Sequence, residues 1–143
     1  MNDNERALCA ATAGLLRASS ALAAWGLALS FIAGIVLSLT GRSLPSVSWG
    51  AYAVVALVGL AERYLALRLR LDAHVFSALA QGAISPGNLD GALERLGLRR
   101  DADAPRPLPQ RVMLARQLMQ RHGVAVAAQT VVFALALAMQ DWR

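Results

Sequence analysis

Residues 18–41 read ASSALAAWGLALSFIAGIVLSLTG, 24 positions between Arg17 and Arg42 without a formal charge. A helix of that length is about 36 Å long, more than the roughly 30 Å of a bilayer's hydrocarbon core. Two further runs follow. Residues 43–61, between Arg42 and Glu62, and residues 122–140, between Arg121 and Asp141, are each 19 positions without a formal charge if His122 is counted neutral. A soluble chain of this length has room to bury one helix that is apolar all round, but hardly three. Only 16% of residues are charged, against a usual share of about 25%, so there is too little polar surface to cover three such helices.

The expected fold is therefore all-α: an integral membrane protein with three transmembrane helices, a hairpin plus a third span, and a cytoplasmic amphipathic helical segment between spans two and three. The expected divisions are an N-terminal segment 1–17, span one at 18–41, a periplasmic turn at 42–48 and span two at 49–67. They continue with amphipathic helices and a Pro-rich linker at 68–121, span three at 122–140 and a C-terminal segment 141–143. The first run is longer than the core of a signal peptide, and no small-x-small cleavage site follows it, so it reads as a retained anchor.

Arginine fixes the expected orientation. All 14 basic residues are arginine. Arg6 and Arg17 precede span one, the segment from Glu62 to Arg121 holds ten more, and the turn holds only Arg42. An N-inside topology places those twelve in the cytoplasm, as the positive-inside rule requires. The all-arginine bias with abundant Ala and Leu suggests GC-rich coding, hence a bacterial inner membrane. Trp49 and Trp142 would mark the outer interface and Tyr64 the inner one. Those same placements argue against nucleic acid as a partner, because arginines and aromatics flank apolar spans and do not share a soluble basic face.

In span one, Gly26, Ser30, Gly34 and Ser38 recur every four residues. A ridge of small side chains lets another helix approach closely, the main attraction available in lipid. Gly50, Ala53, Ala56 and Gly59 of span two offer an internal mate. Span three carries Gln129 and Thr130 near its middle, each costly in lipid unless hydrogen-bonded.

Beyond span two, residues 61–81 contain no glycine or proline, so the helix should continue. Arg63, Arg70, His74, Ser77 and Gln81 gather in a polar stripe, with Leu65, Leu69, Val75, Phe76 and Leu79 opposite. Arg68 and Asp72 interrupt the apolar side four residues apart; with Phe76 they form the candidate partner-binding face. After the Ser85–Asn88 turn, Asn88 is expected to cap a short helix with Leu89, Leu93 and Leu96 on one face. Asp90 near its start and Arg95, Arg99 and Arg100 near its end suit the helix dipole, and Gly97 helps to end it. Alternating Pro105, Pro107 and Pro109 predict an extended linker. A further helix, for whose opening Pro109 is well suited and apolar along Val112, Leu114, Ala115, Leu118 and Met119, should lead through Gly123 into span three and lie along the inner leaflet before turning in.

Sites of chemistry are poorly marked. Glu62 and Arg63 fall where span two should leave the hydrocarbon, and snorkelling makes both boundary charges. His74 and His122 lack the cysteine or carboxylate neighbours of a metal site. Asp72, His74 and Ser77 fail as a hydrolytic triad because Asp72 lies on the other side of the helix from His74. Cys9 reads as an idle thiol. No catalytic set, cofactor or metal is expected. The expected function is a small accessory or assembly subunit that binds the bilayer and a larger membrane-protein partner. The rival is a homo-oligomeric channel or transporter component built by self-association.

Overall fold

The computed structural model describes residues 1–95 and 107–139. Five helices account for nearly all of them: α1 (Asp3–Ala18), α2 (Ser20–Thr40), α3 (Ser46–Ala80), α4 (Pro86–Arg95) and α5 (Leu108–Ala138). No strand occurs among the described residues. Expectations resting on Leu96, Gly97, Arg99, Arg100, Pro105, Trp142 and the side chain of Leu93 fall outside them. Three stretches, Asp3–Thr40, Ser46–Ala80 and Leu108–Ala138, are long and apolar enough to cross a membrane. Their lengths of 38, 35 and 31 residues correspond to about 57, 52 and 46 Å, so each exceeds a hydrocarbon core.

The chain forms two compact units, one from residues 1–17 and 69–118, the other from 18–68 and 119–143. In the first unit, α1 begins with a reciprocal capping box: the Glu5 amide donates to Asn2 Oδ1 at 2.8 Å, and the Asn2 amide donates to Glu5 Oε2 at 2.9 Å. This pairing satisfies two amides that a helix start otherwise leaves open. The unit's buried core includes Cys9, Leu16, Leu69, Phe76, Leu79 and Ala115. Helix α3 does continue past the apolar run, to Ala80. It ends in a Schellman arrangement, with the Ala83 amide donating to the Ala78 carbonyl at 3.0 Å and the Gly82 amide to Leu79 at 3.1 Å. The left-handed φ of 71° at Gly82 makes glycine the residue of choice there.

One expectation needs correction in this unit. Ser85, not Asn88, caps α4: its hydroxyl accepts the Asn88 amide at 3.2 Å and its carbonyl accepts the Leu89 amide at 3.0 Å. Pro86 then occupies the first helical position, where its missing N–H costs nothing. Helix α5 runs unbroken through Gly123, from this unit into the second. One interior glycine costs about 1 kcal/mol relative to alanine, too little to end a helix supported on both sides by good helix formers. Across the unit's surface, Arg17 donates to Ser77 Oγ at 2.8 Å, and Arg111 pairs with Asp90.

In the second unit, a connection at residues 41–45 joins α2 to α3, and the two pack as an antiparallel hairpin with α5 alongside. Their inward positions alternate four and three residues apart, with Ser30, Leu37 and Phe133 half-buried and the others buried, and Leu29 of α2 is buried beside them. Helix α2 turns inward Ala23, Gly26, Ser30, Ala33 and Leu37; α3 does so with Ser48, Tyr52, Val55, Gly59, Glu62 and Ala66; α5 with His122, Val126, Gln129, Phe133 and Ala136. That average of 3.5 residues is the seam of a left-handed, coiled-coil-like packing. One end of the seam is apolar, built on Leu29, Ala33, Tyr52, Val55 and Ala136. There the Tyr52 and Phe133 rings meet edge to face, with centroids 5.8 Å apart.

Candidate functional site

The other end of the seam is polar. Glu62 from α3 and His122 from α5 are both fully enclosed, with Glu62 Oε1 3.4 Å from His122 Nε2. That spacing is ion-pair range, but longer than the roughly 2.7–2.9 Å of a well-formed charge-assisted hydrogen bond. The Arg63 guanidinium stands 3.4 Å from the same Oε1, and also donates to the Ala23 carbonyl of α2. On the third side the wall is backbone. A Cβ built at Gly26 would collide with the Glu62 carboxylate, so the absence of a side chain there is what makes room for it. Glu62 Oε2 and both ring nitrogens of His122 are buried without a hydrogen-bond partner.

Further along the seam, Gln129 ties the three helices together. Its Nε2 donates to the Gly26 carbonyl at 3.2 Å, to Ser30 Oγ at 2.7 Å and to the Val55 carbonyl at 3.2 Å. Gly59 is required opposite, because a Cβ there would overlap Ser30 Oγ and crowd Gln129. Nearby, Trp25 Nε1 donates to Thr130 Oγ1 at 3.1 Å. Gln129 and Thr130, the two polar residues marked in the apolar run, thus both make interhelical hydrogen bonds.

The reading of Glu62 as a boundary charge is overturned: the carboxylate cannot snorkel from a position enclosed on every side by its own helices. Arg63, about one-third exposed, retains a route outward. Of the four-residue ridge, Gly26 is buried and Ser30 half-buried in the seam, Gly34 is half-buried with open space where a Cβ would stand, and Ser38 is exposed, its hydroxyl donating to the Gly34 carbonyl of its own helix. The geometry explains this spread. A step of four residues turns about 40° too far each time, so three steps carry the ridge about 120° away from where it began. The three-residue series in span two drifts the other way, and only its Gly59 is buried. Arg68 is exposed and Asp72 half-buried, whereas Phe76 is enclosed in the first unit's core and offers a partner little surface.

His122 and Gln129 are legible as seam residues by their seven-residue spacing, and Glu62 by its place in the series Tyr52, Val55, Gly59, Glu62. Their convergence is not. His74 is exposed, and Ser77 is engaged by Arg17 and Gln81. Among the described residues, no group of three or more His, Cys, Asp or Glu is placed to hold a metal. No protein-family model matches the chain, and neither a curated protein nor a solved structure shows significant similarity to it.

Proposed function

We propose that the chain is a three-span membrane subunit, with its N-terminus and the segment 68–121 in the cytoplasm, that binds a larger membrane protein through its transmembrane surface. The observation that carries this reading is the polarity of the second unit. Its enclosed seam contains Glu62, His122 and Gln129, while Phe31, Leu39, Leu57, Leu60 and Val124 lie outside and exposed. Such an arrangement suits hydrocarbon as the surrounding solvent. The arginine distribution supports the orientation, and the composition and topology together favour a bacterial inner membrane.

For the partner, the outward half of the span-one ridge is the preferred contact. Gly34 and Ser38 are not consumed by the internal seam, and a Cβ at Gly34 would meet nothing within 4 Å. A close-packed helix from another protein fits there. Arg68 and Asp72 would add a polar contact beyond the span. The channel reading draws less support, because the amide nitrogen of Gln129 is spent on bonds inside one copy.

The test is isolation of the tagged full-length protein from its native membrane in mild detergent, with native mass determination, beside Gly34→Leu. The expected result is a stoichiometric larger membrane partner that Gly34→Leu releases while the three-helix unit stays folded. A homo-oligomer of unchanged mass in both proteins would replace this reading with self-association.

A further inference from the structure

We propose that Glu62, His122 and Gln129 hold internal water between α2, α3 and α5, in a small polar site inside the second unit. The inference concerns the seam itself and does not depend on which protein the chain binds. Glu62 and His122 are 0% exposed and Gln129 1%. Even so, Glu62 Oε2, Gln129 Oε1 and both ring nitrogens of His122 have no hydrogen-bond partner in the protein. Native interiors leave few such atoms unpaired, and ordered water is the usual partner where side chains supply none.

The orphan atoms cannot serve one another. Carboxylate and amide oxygens only accept, and an imidazole with one N–H offers one donor and one acceptor, whichever nitrogen carries the hydrogen. The set is therefore short of donors. Neighbouring donors are already spent. Gln129 Nε2 goes to the Gly26 carbonyl, Ser30 Oγ and the Val55 carbonyl. The Ser30 hydroxyl donates to the Gly26 carbonyl, and Arg63 to Glu62 Oε1 and the Ala23 carbonyl. The spacing suits a bridge as well, because Glu62 Oε1 and His122 Nε2 stand 3.4 Å apart without a hydrogen bond between them. Gly26 adjoins both the Glu62 carboxylate and the Gln129 amide, so the polar groups of α3 and α5 meet at one glycine of α2.

The same surroundings select water over other ligands. A metal ion is opposed by the Arg63 guanidinium, 3.4 Å from the same carboxylate. Among the described residues no group of three or more His, Cys, Asp or Glu is placed for one. Anything much larger is excluded by the close approach of Gly26 to the carboxylate. Water brings donors and acceptors in the smallest volume and bridges groups that do not meet directly. Arg63, about one-third exposed, is the polar route by which it exchanges with solvent. The apolar end, around Leu29, Ala33 and Ala136, offers no comparable set on those residues and should stay dry there.

The experiment is water-edited solid-state NMR of the full-length protein in lipid bilayers, in which magnetisation passes from water to side-chain carbons at short mixing times. His122 and Gln129 should receive it well before the Ala33 methyl, which is equally enclosed at the apolar end. Exposed His74 sets the upper limit. Transfer to His122 and Gln129 no faster than to Ala33 means a dry seam and overturns the proposal. Replacing the pair together, Glu62→Leu with His122→Leu, should abolish early transfer to Gln129. Early transfer that persists there places the water elsewhere and overturns the site. Should the double variant fail to fold, the wild-type comparison decides by itself.

Discussion

Both units bury apolar side chains, but the second also buries charged and amide groups. The first, residues 1–17 and 69–118, encloses an almost wholly apolar set around Leu16, Leu69, Phe76 and Leu79, and its ionic contact, Arg111 with Asp90, stays partly exposed. The second encloses Glu62, His122 and Gln129 and presents large apolar side chains outward. On the proposed reading of the second unit as membrane-spanning, one chain follows two rules of packing. In water, burying apolar surface supplies most of the stability, and polar groups decorate the outside. In hydrocarbon that drive between helices is lost, so close backbone approach and interhelical hydrogen bonds matter more. The comparison teaches that the glycines and the polar side chains of the second unit are one device: Gly26 and Gly59 provide the space that Glu62, Ser30 and Gln129 fill.

The sharpest way to break that comparison is a pair of glycine substitutions on one helix. Gly26→Ala forces the Glu62 carboxylate away from its place beside His122, and should destabilise the second unit by about 1–3 kcal/mol. Gly34→Ala adds its methyl where nothing lies within 4 Å, so it should be neutral or stabilise by up to about 1 kcal/mol through helix propensity. Unfolding in graded denaturing detergent measures both. Equal effects would remove the claim that Gly26 is kept for the carboxylate.

A smaller effect separates the polar contacts of the two units. Gln129→Leu removes a donor shared among three acceptors, and should cost about 0.6–1.7 kcal/mol. Arg111→Ala removes a partly exposed pair and should cost at most about 1 kcal/mol, shrinking in high salt. If Gln129→Leu proves the more salt-sensitive, the assignment of the two environments is wrong.

The smallest expected effect is chemical. Cys9 is enclosed in the first unit, where burial and then the charge of Glu5 push its thiol above the usual range. The thiolate is the reactive form, so maleimide labelling at neutral pH should be slow in the folded protein and become ordinary on unfolding. Rapid labelling of the native protein would show that this core is open. Neither outcome concerns the second unit, which contains no cysteine.

The helices are legible in the sequence where one local signal dominates. The three uncharged runs coincide with parts of α2, α3 and α5, and the absence of glycine and proline in residues 61–81 foretells that α3 continues well beyond its apolar run. The signal for α1 lies in Asn2 and Glu5, whose three-residue separation is that of a capping box, but the charge of the segment masks it by suggesting only a terminal tail. Capping at Ser85 is equally available from the following proline.

The sequence by itself determined where apolar surface is concentrated, which segments can be helical and on which ends the arginines fall. Those properties are sums over neighbouring residues, and neighbours along a chain are given. Only the tertiary structure decided that Glu62 points inward, that Gly26 is the wall against it and that His122 is its partner. Those residues lie on three helices, up to 96 positions apart between Gly26 and His122. Whether a carboxylate at the end of an apolar run snorkels or is enclosed depends on the rotation of its helix against the others. A 3.5-residue seam sets that rotation through the contacts of all three helices at once.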